Sequence, residues 1–148
     1  PEGRPVRVSP YPAPMDTTTI DVTTGGAAAT VDLTAAAAEF VSQRGDGLLS
    51  VFVPHATAGV AVFETGAGSD DDVVAHLEAL FPRDDRWRHR HGSPGHGADH
   101  VMPAFVAPSI TVPVVDGRLA LGTWQSIVLV DPNRDNHRRT VRLSFLPG

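Results

Sequence analysis

The sequence contains a series of short extended segments separated by turn residues, which limits the chain to folds built largely from β-sheet. Residues 17–23 alternate and are β-branched, while residues 48–53 form an apolar run between a turn and a proline, as expected for strands. The dipeptide Asp116-Gly117 indicates a two-residue hairpin between strands at 109–115 and 119–130, the second with a bend at Gly122. Further strands are predicted at residues 30–33, 60–63 and 140–146. Because helices do not alternate regularly with these strands, we expect an α+β fold with mainly antiparallel sheet.

Two segments have clear helical character, and a third is shorter. Residues 35–44 are rich in alanine, and Thr34 is the expected N-cap. Residues 69–80 begin with an acidic, capping-box-like turn and end before a proline. Residues 99–106 predict a short helix. The apolar side of the second helix is expected to contain Val73, Val74, Leu77 and Leu80.

Length and composition fit one globular domain after a short leader. The chain has 148 residues, of which 41% are hydrophobic, enough for a sizeable core. We expect a flexible, proline-rich leader at residues 1–14 and a single domain at residues 15–148. No apolar run approaches the roughly 20 residues that span a bilayer, and the leader lacks the apolar stretch of a signal peptide. A cytoplasmic location without membrane contact is therefore expected.

Composition also excludes several classes of site. The chain contains no cysteine, which excludes thiolate zinc fingers, iron–sulfur clusters and cysteine nucleophiles. Its formal net charge of −5 argues against a nucleic-acid partner. The sequence has no P-loop, no Rossmann fingerprint and no HExxH motif.

Histidines are concentrated in one part of the chain. Of seven histidines, five lie between His76 and His100. His89 and His91 share a face if their segment is extended, and His96 and His100 share a face if theirs is helical. Neutral imidazole is the commonest metal ligand in proteins. The segment is either a metal site or a solvated basic loop, and its lack of helical or strand period marks it as a functional or disordered loop.

Other polar residues are candidates with open alternatives. His55 ends a buried strand, so its ring either binds a ligand or satisfies a loop carbonyl. Glu64 follows a strand and is either a general base, a metal ligand or an exposed side chain. Gln125 is polar within an apolar strand and requires a hydrogen-bond partner. Asp99 is either a metal ligand, a carboxylate that orients a ligating imidazole, or a helix cap.

Three arginines near the end of the chain form a further candidate. They are able to bind phosphate, although a solvated run of charges fits them better. The three are Arg134, Arg138 and Arg139.

Two motifs carry a resemblance to a known family. Residues 47–64 read GLLSVFVPHATAGVAVFE, and residues 117–125 read GRLALGTWQ. Together with residues 71–82, 87–89 and 100–114, they resemble the YjbQ family, some members of which are known as secondary thiamine-phosphate synthases. The resemblance covers most of the chain beyond the leader. It implies an α+β fold with two mainly antiparallel sheets, a homotrimer, and a polar site near a subunit boundary.

The resemblance also implies roles for individual residues. His55 matches the H-x-T-A-G motif, His89 the aromatic-x-His motif, and His100 the histidine before the Ser-x-Thr-x-Pro-Val strand. These three are the expected ligands of a divalent metal, most simply zinc. The expected catalytic residues are Glu64 and Gln125, and the expected substrate-binding residues are Thr57, Arg88 and Trp124.

The sequence departs from the family at three positions. His96 stands where relatives usually carry asparagine, His76 where many carry aspartate, and Trp87 where tyrosine is usual. His96 and His76 either extend the polar site or indicate altered chemistry.

Two functional hypotheses follow. One is a metal-assisted enzyme for a small phosphorylated substrate, similar to a transferase that joins a pyrimidine pyrophosphate to a thiazole phosphate and releases pyrophosphate. In that enzyme, Arg88 or Arg90 would help the metal stabilise the leaving group. The other is a metal- or ligand-binding homotrimer without turnover.

Overall fold

The computed structural model describes residues 15–148. The predicted leader, residues 1–14, lies outside the described residues. The strands in chain order are β1 (Asp16–Thr23), β2 (Ala29–Asp32), β3 (Gly47–Phe52), β4 (Gly59–Phe63), β5 (Ser109–Val115), β6 (Arg118–Leu119), β7 (Ser126–Asp131) and β8 (Arg138–Pro147). The helices are α1 (Thr34–Val41), α2 (Ser69–Leu80) and α3 (Gly97–Val101), and a 3-10 turn at Met102–Ala104 follows α3.

The strands form two sheets in which every pairing is antiparallel. The larger sheet has the order β1-β8-β3-β5-β6 and the smaller one has the order β2-β7-β4. Apolar side chains from both sheets and from α1 belong to one buried cluster. The prediction of an α+β fold with mainly antiparallel sheets is therefore confirmed. Fully buried members include Val41, Leu49, Val51, Leu129 and Leu143.

The predicted hairpin is confirmed, but the prediction of one continuous strand after it is wrong. Val115 pairs with Arg118 across the turn, and Asp116 and Gly117 have φ values of 49° and 69°, as a type I′ turn requires. The predicted single strand at 119–130 is two strands in different sheets. A turn in which Gln125 N donates to Gly122 O at 3.0 Å separates them, so the chain crosses from one sheet to the other.

Two local predictions for the helices are also wrong. Thr34 is the first residue of α1 instead of its N-cap. Its N–H donates to Asp32 Oδ1 at 2.8 Å, and its hydroxyl accepts from the Ile127 N–H at 2.9 Å, so a contact between elements replaces the local cap. In α2, Leu80 on the predicted apolar side is 70% exposed. This helix packs only partly on the rest of the fold and has no fully buried residue.

A loop of residues 82–96 connects α2 to α3 and contains no strand or helix. This agrees with the absence of any period in the sequence there. Within residues 15–148, no helix is both long and apolar enough to cross a bilayer.

Candidate metal centre

Four histidines meet where the 82–96 loop joins α3. One ring nitrogen from each of His89, His91, His96 and His100 lies within 4.8 Å of the others. The first two histidines are on the loop, His96 immediately precedes α3, and His100 lies within it. The predicted loop therefore brings together four imidazoles, including two of the three expected metal ligands.

His96, at the N-cap of α3, and His100, within α3, form the more buried half of this histidine cluster. His96 Nε2 and His100 Nε2 are 3.0 Å apart, as their four-residue spacing on one helix face predicts. Two imidazole nitrogens at this separation either share a proton or bind a common ion. Nitrogens bound to one zinc at ~2.0–2.1 Å in a tetrahedron lie roughly 3.3 Å apart. The cluster therefore has dimensions suited to a single metal ion.

The loop histidines, His89 and His91, are more exposed than His96 and His100, and their rings contact neighbouring imidazoles. The rings of His89 and His91 have centroids 4.0 Å apart, and those of His89 and His100 are 4.2 Å apart. Trp87 anchors the loop because its indole N–H donates to Pro82 O at 2.8 Å. Gly97 permits close packing, since a Cβ there would lie 2.7 Å from His89 O. The glycine therefore lets α3 approach the loop backbone that carries the first two histidines.

Charged side chains surround His96. Its Nδ1 lies 3.0 Å from Asp135 Oδ2 and 3.3 Å from Asp99 Oδ2. Asp99 is 1% exposed and accepts from Arg83 Nη1 through both oxygens, at 2.6 Å for Oδ2. Arg83 also donates to Ser93 Oγ at 3.1 Å. Of the three roles considered for Asp99, the geometry favours that of a partner to an imidazole.

Neutral imidazole is the form that binds metals, and the surroundings of His89 and His100 favour that form. Loss of hydration, followed by repulsion from neighbouring imidazoles, lowers the pKa of both His89 and His100. Burial raises the pKa of Asp99 against the opposing effect of Arg83. Hydrogen bonds from Ser93 lower the pKa of Asp135.

An open depression of about 350 Å³ lies beside the histidine cluster. His89, His91 and His96 line it together with Trp87 and Arg90. A small molecule bound there would contact imidazoles, the Trp87 side chain and the cationic Arg90 side chain. Arg90 Nη2 donates to Asp85 O at 3.2 Å, which holds this guanidinium on the loop.

His55, the third expected ligand, is not in the histidine cluster. Its Nε2 accepts a hydrogen bond from the Thr140 N–H at 3.0 Å. Burial, with the nearby Arg139 charge as the second cause, lowers the pKa of His55. Within one chain, this ring therefore satisfies a backbone donor of β8. Its role as a ligand remains a prediction.

The arginines near the end of the chain do not behave as one solvated run. Arg139 is 2% exposed and Asp131 is fully buried; their contacts are Nε to Oδ2 at 2.8 Å and Nη2 to Oδ1 at 2.9 Å. Arg139 Nη2 also donates to the Thr57 hydroxyl at 3.0 Å. Arg134 pairs with Glu78 at the surface. The solvated reading is therefore wrong for Arg139, which is a buried structural partner.

The remaining predicted residues do not line the depression. Glu64 and Arg88 are exposed, and Trp124 is 73% exposed. Gln125 lies in a loop instead of an apolar strand, and its Oε1 accepts from the Gly122 N–H at 2.8 Å. Thr57 is buried against Arg139. Their catalytic and substrate-binding roles stay predictions.

Sequence reasoning did not find several residues that surround His96. Arg83, Ser93 and Asp135 come from two different loops, and no spacing in the sequence connects them. The four-residue spacing of His96 and His100 was the one signal that pointed toward this part of the site.

Comparisons with known proteins agree with the fold and the motifs. Residues 18–148 match the family described as UPF0047 protein YjbQ-like. The chain is 65% identical over 134 residues to UPF0047 protein Rv2556c of Mycobacterium tuberculosis, covering 90% of this chain and 100% of that protein. It is 34% identical over 102 residues to UPF0047 protein YugU of Bacillus subtilis, covering 66% of this chain and 74% of that protein. The chain belongs to the YjbQ-like UPF0047 family, which confirms the resemblance.

Solved structures show the same fold. A hypothetical protein of Aeropyrum pernix, APE1520, superposes with a TM-score of 0.82 at 34% identity, covering 90% of this chain and 100% of that one. A YbjQ-like protein of unknown function from Sulfolobus solfataricus superposes with a TM-score of 0.84 at 24% identity, covering 90% and 98%. The second likeness concerns the fold alone.

Proposed function

We propose that this protein binds one divalent transition-metal ion through His89, His91, His96 and His100. The observation that carries the proposal is the approach of four ring nitrogens to within 4.8 Å of one another. Protonated imidazoles repel one another, so a shared metal ion accounts for the close approach of all four rings. The four residues fit such an ion in number, donor type and spacing.

The donor set restricts the kind of metal. Imidazole nitrogen suits zinc, copper, nickel and iron, whereas magnesium and calcium prefer oxygen ligands. No carboxylate belongs to the group of four ligand atoms. Zinc is our first choice because it accepts four nitrogen ligands in a tetrahedral shell.

We further propose that the centre serves a small phosphorylated substrate, because this chain resembles a family in which some members are known as secondary thiamine-phosphate synthases. When bound, a divalent ion supplies Lewis-acid polarisation and an acidified water. Arg90 and Trp87 line the adjacent depression, and a cation beside an indole suits a phosphate attached to a flat ring. Arg88, exposed on the same loop, adds positive charge for a departing pyrophosphate.

One observation favours the alternative of a metal-binding homotrimer without turnover. Four imidazoles complete the tetrahedral shell of zinc, and structural zinc sites are closed in this way. A catalytic site keeps one position open for water or substrate. The two proposals therefore differ in whether all four histidines remain bound to the ion at once.

The metal proposal is tested with the full chain after removal of any affinity tag. The expected result is about one equivalent of zinc per chain by elemental analysis, and its loss in His96→Ala and His100→Ala. His76→Ala is the matched control, because this exposed histidine on α2 bonds its own helix at Asp72 O. Equal metal content in wild type, both variants and the control would refute the ligand assignment.

The choice between enzyme and binding protein is tested by cobalt substitution. Four imidazoles give tetrahedral Co(II), whose visible spectrum should change when phosphate esters occupy an open position. A spectrum that is unaffected by such esters, with no phosphate or pyrophosphate release from them, supports the binding protein. Light scattering of the same sample measures whether the expected homotrimer forms.

A further inference from the structure

We propose that Asp99 and Asp135 form a second coordination sphere that orients His96 toward the metal, with Arg83 as the residue that positions Asp99. This inference rests on the proposed metal function and deepens it. A ligating imidazole generally donates its other N–H to a carboxylate or carbonyl, which fixes both the tautomer and the ring orientation. His96 has carboxylates on the side opposite the histidine cluster.

The starting observation is an unusual environment for one buried nitrogen. His96 is 7% exposed, and within residues 15–148 its Nδ1 has no aligned hydrogen bond. Two carboxylate oxygens nevertheless lie 3.0 and 3.3 Å from it. A proton on Nδ1 stabilises both carboxylates, so they favour the tautomer that leaves Nε2 unprotonated. That nitrogen is the one that lies 3.0 Å from His100 Nε2.

A partly buried cation, Arg83, holds Asp99 in place. Both of its oxygens accept from Arg83 Nη1, and the two side chains are 2% and 16% exposed. Arg83 Nη2 reaches Ser93 Oγ at 3.1 Å. The guanidinium therefore ties the start of the 82–96 loop to the carboxylate that lies beside His96.

Asp135 is fixed by a different part of the chain. Its Oδ2 accepts from the Ser93 N–H at 3.1 Å, and its own N–H donates to Asn133 Oδ1 at 3.0 Å. The Asn133 N–H in turn donates to Asp131 Oδ1 at 3.1 Å. This series of turns begins at the end of β7 and places a carboxylate next to a histidine about forty positions earlier in the chain.

The geometry separates His96 from the other three histidines. Asp99 and Asp135 lie against His96 Nδ1, whereas His89 and His91 are exposed residues of the loop. We therefore assign His96 as the most strongly oriented of the four ligands. The two carboxylates are the reason that this position is able to hold a metal ligand in this chain.

The test compares Asp135→Asn and Asp99→Asn with Asp84→Asn in the full, tag-free chain. Asp84 is an exposed carboxylate in the same loop that pairs with Arg86, so its variant is the matched control. Competition with a chromophoric chelator should show zinc affinity 10- to 100-fold weaker in the first two variants and unchanged in the control. Asp135→Asn carries the test if Asp99→Asn does not fold, because Asp135 is 34% exposed and its change leaves no buried unpaired cation.

A second measurement needs no metal. Nitrogen-15 shifts of the histidine rings at pH 8 should show the Nδ1–H tautomer of His96 in wild type and a mixture in Asp135→Asn. Unchanged tautomer and unchanged zinc affinity in both aspartate variants would overturn the positioning role while leaving the metal proposal intact. A wild-type chain that shows the Nδ1–H tautomer but binds no zinc would support the orientation of His96 and refute the metal function.

Discussion

Replacing Arg139 by methionine should strongly destabilise the fold. This side chain is 2% exposed and is paired with Asp131, which is fully buried. Methionine removes the cation and leaves the carboxylate in the core. Breaking a buried ion pair by removing one partner is strongly destabilising, by about 3–5 kcal/mol, because the remaining charge is uncompensated.

The remaining hydrogen bonds of Asp131 place the expected loss at the lower end of that range. After the change, Oδ2 still accepts from the Thr24 hydroxyl at 2.7 Å, and Oδ1 still accepts from the Asn133 N–H at 3.1 Å. Each oxygen therefore retains one neutral donor. We expect the free energy of unfolding to fall by about 3 kcal/mol, which is a large part of the 5–15 kcal/mol typical of a domain.

Urea unfolding followed by circular dichroism measures this loss. With a slope of about 2 kcal/mol per molar urea, the midpoint should fall by about 1.5 M at equal protein concentration. Arg134→Met is the matched control, since Arg134 and Glu78 are 48% and 43% exposed and such pairs contribute about 0–1 kcal/mol. The double variant Asp131→Asn/Arg139→Met should recover part of the loss. A change below about 1 kcal/mol in Arg139→Met, or a double variant less stable than the single one, would refute the role given to the buried charge.

Two further predictions concern the supporting structure. The lowered pKa of His55 means that the unfolded state takes up more protons below its ordinary pKa of 6.5, so stability should fall as pH drops through that value and be retained above it. His55→Gln keeps an acceptor for the Thr140 N–H but cannot titrate, so unfolding curves at pH 7.5 and 5.5 should differ less than in wild type; an equal difference would contradict this. Gly59→Ala should destabilise by about 1–3 kcal/mol because a Cβ there would overlap the Val106 carbonyl. Gly45→Ala, with open space around its Cβ, should stay within about 0.5 kcal/mol of wild type in thermal unfolding.

Local sequence signals were sufficient for most of the secondary structure. The strand at Ser109–Val115 and the type I′ turn after it follow from alternation and from the residues Asp116 and Gly117. The helix of residues 69–80 follows from its acidic start and the proline after its end. These features are short-range, because turn chemistry and side-chain periodicity act within a few residues.

Predictions failed where a contact between distant elements replaced a local preference. Thr34 fits an N-cap by residue type, but its hydroxyl accepts from Ile127 in β7. The apolar run at 119–130 predicts one strand, but the chain changes sheets within it. Arg139 looks like part of a solvated run, and only the fold shows that Asp131 lies beside it.

Neighbouring residues alone indicate an antiparallel α+β fold, the family motifs, and a histidine-rich segment with His96 and His100 on one helix face. Long-range packing of the folded chain sets which of the histidine rings meet. It joined His89 and His91 to that pair, left His55 on the Thr140 N–H, and brought Asp135 from a remote loop to His96. Distances across loops depend on how whole elements pack, and residue spacing does not encode them.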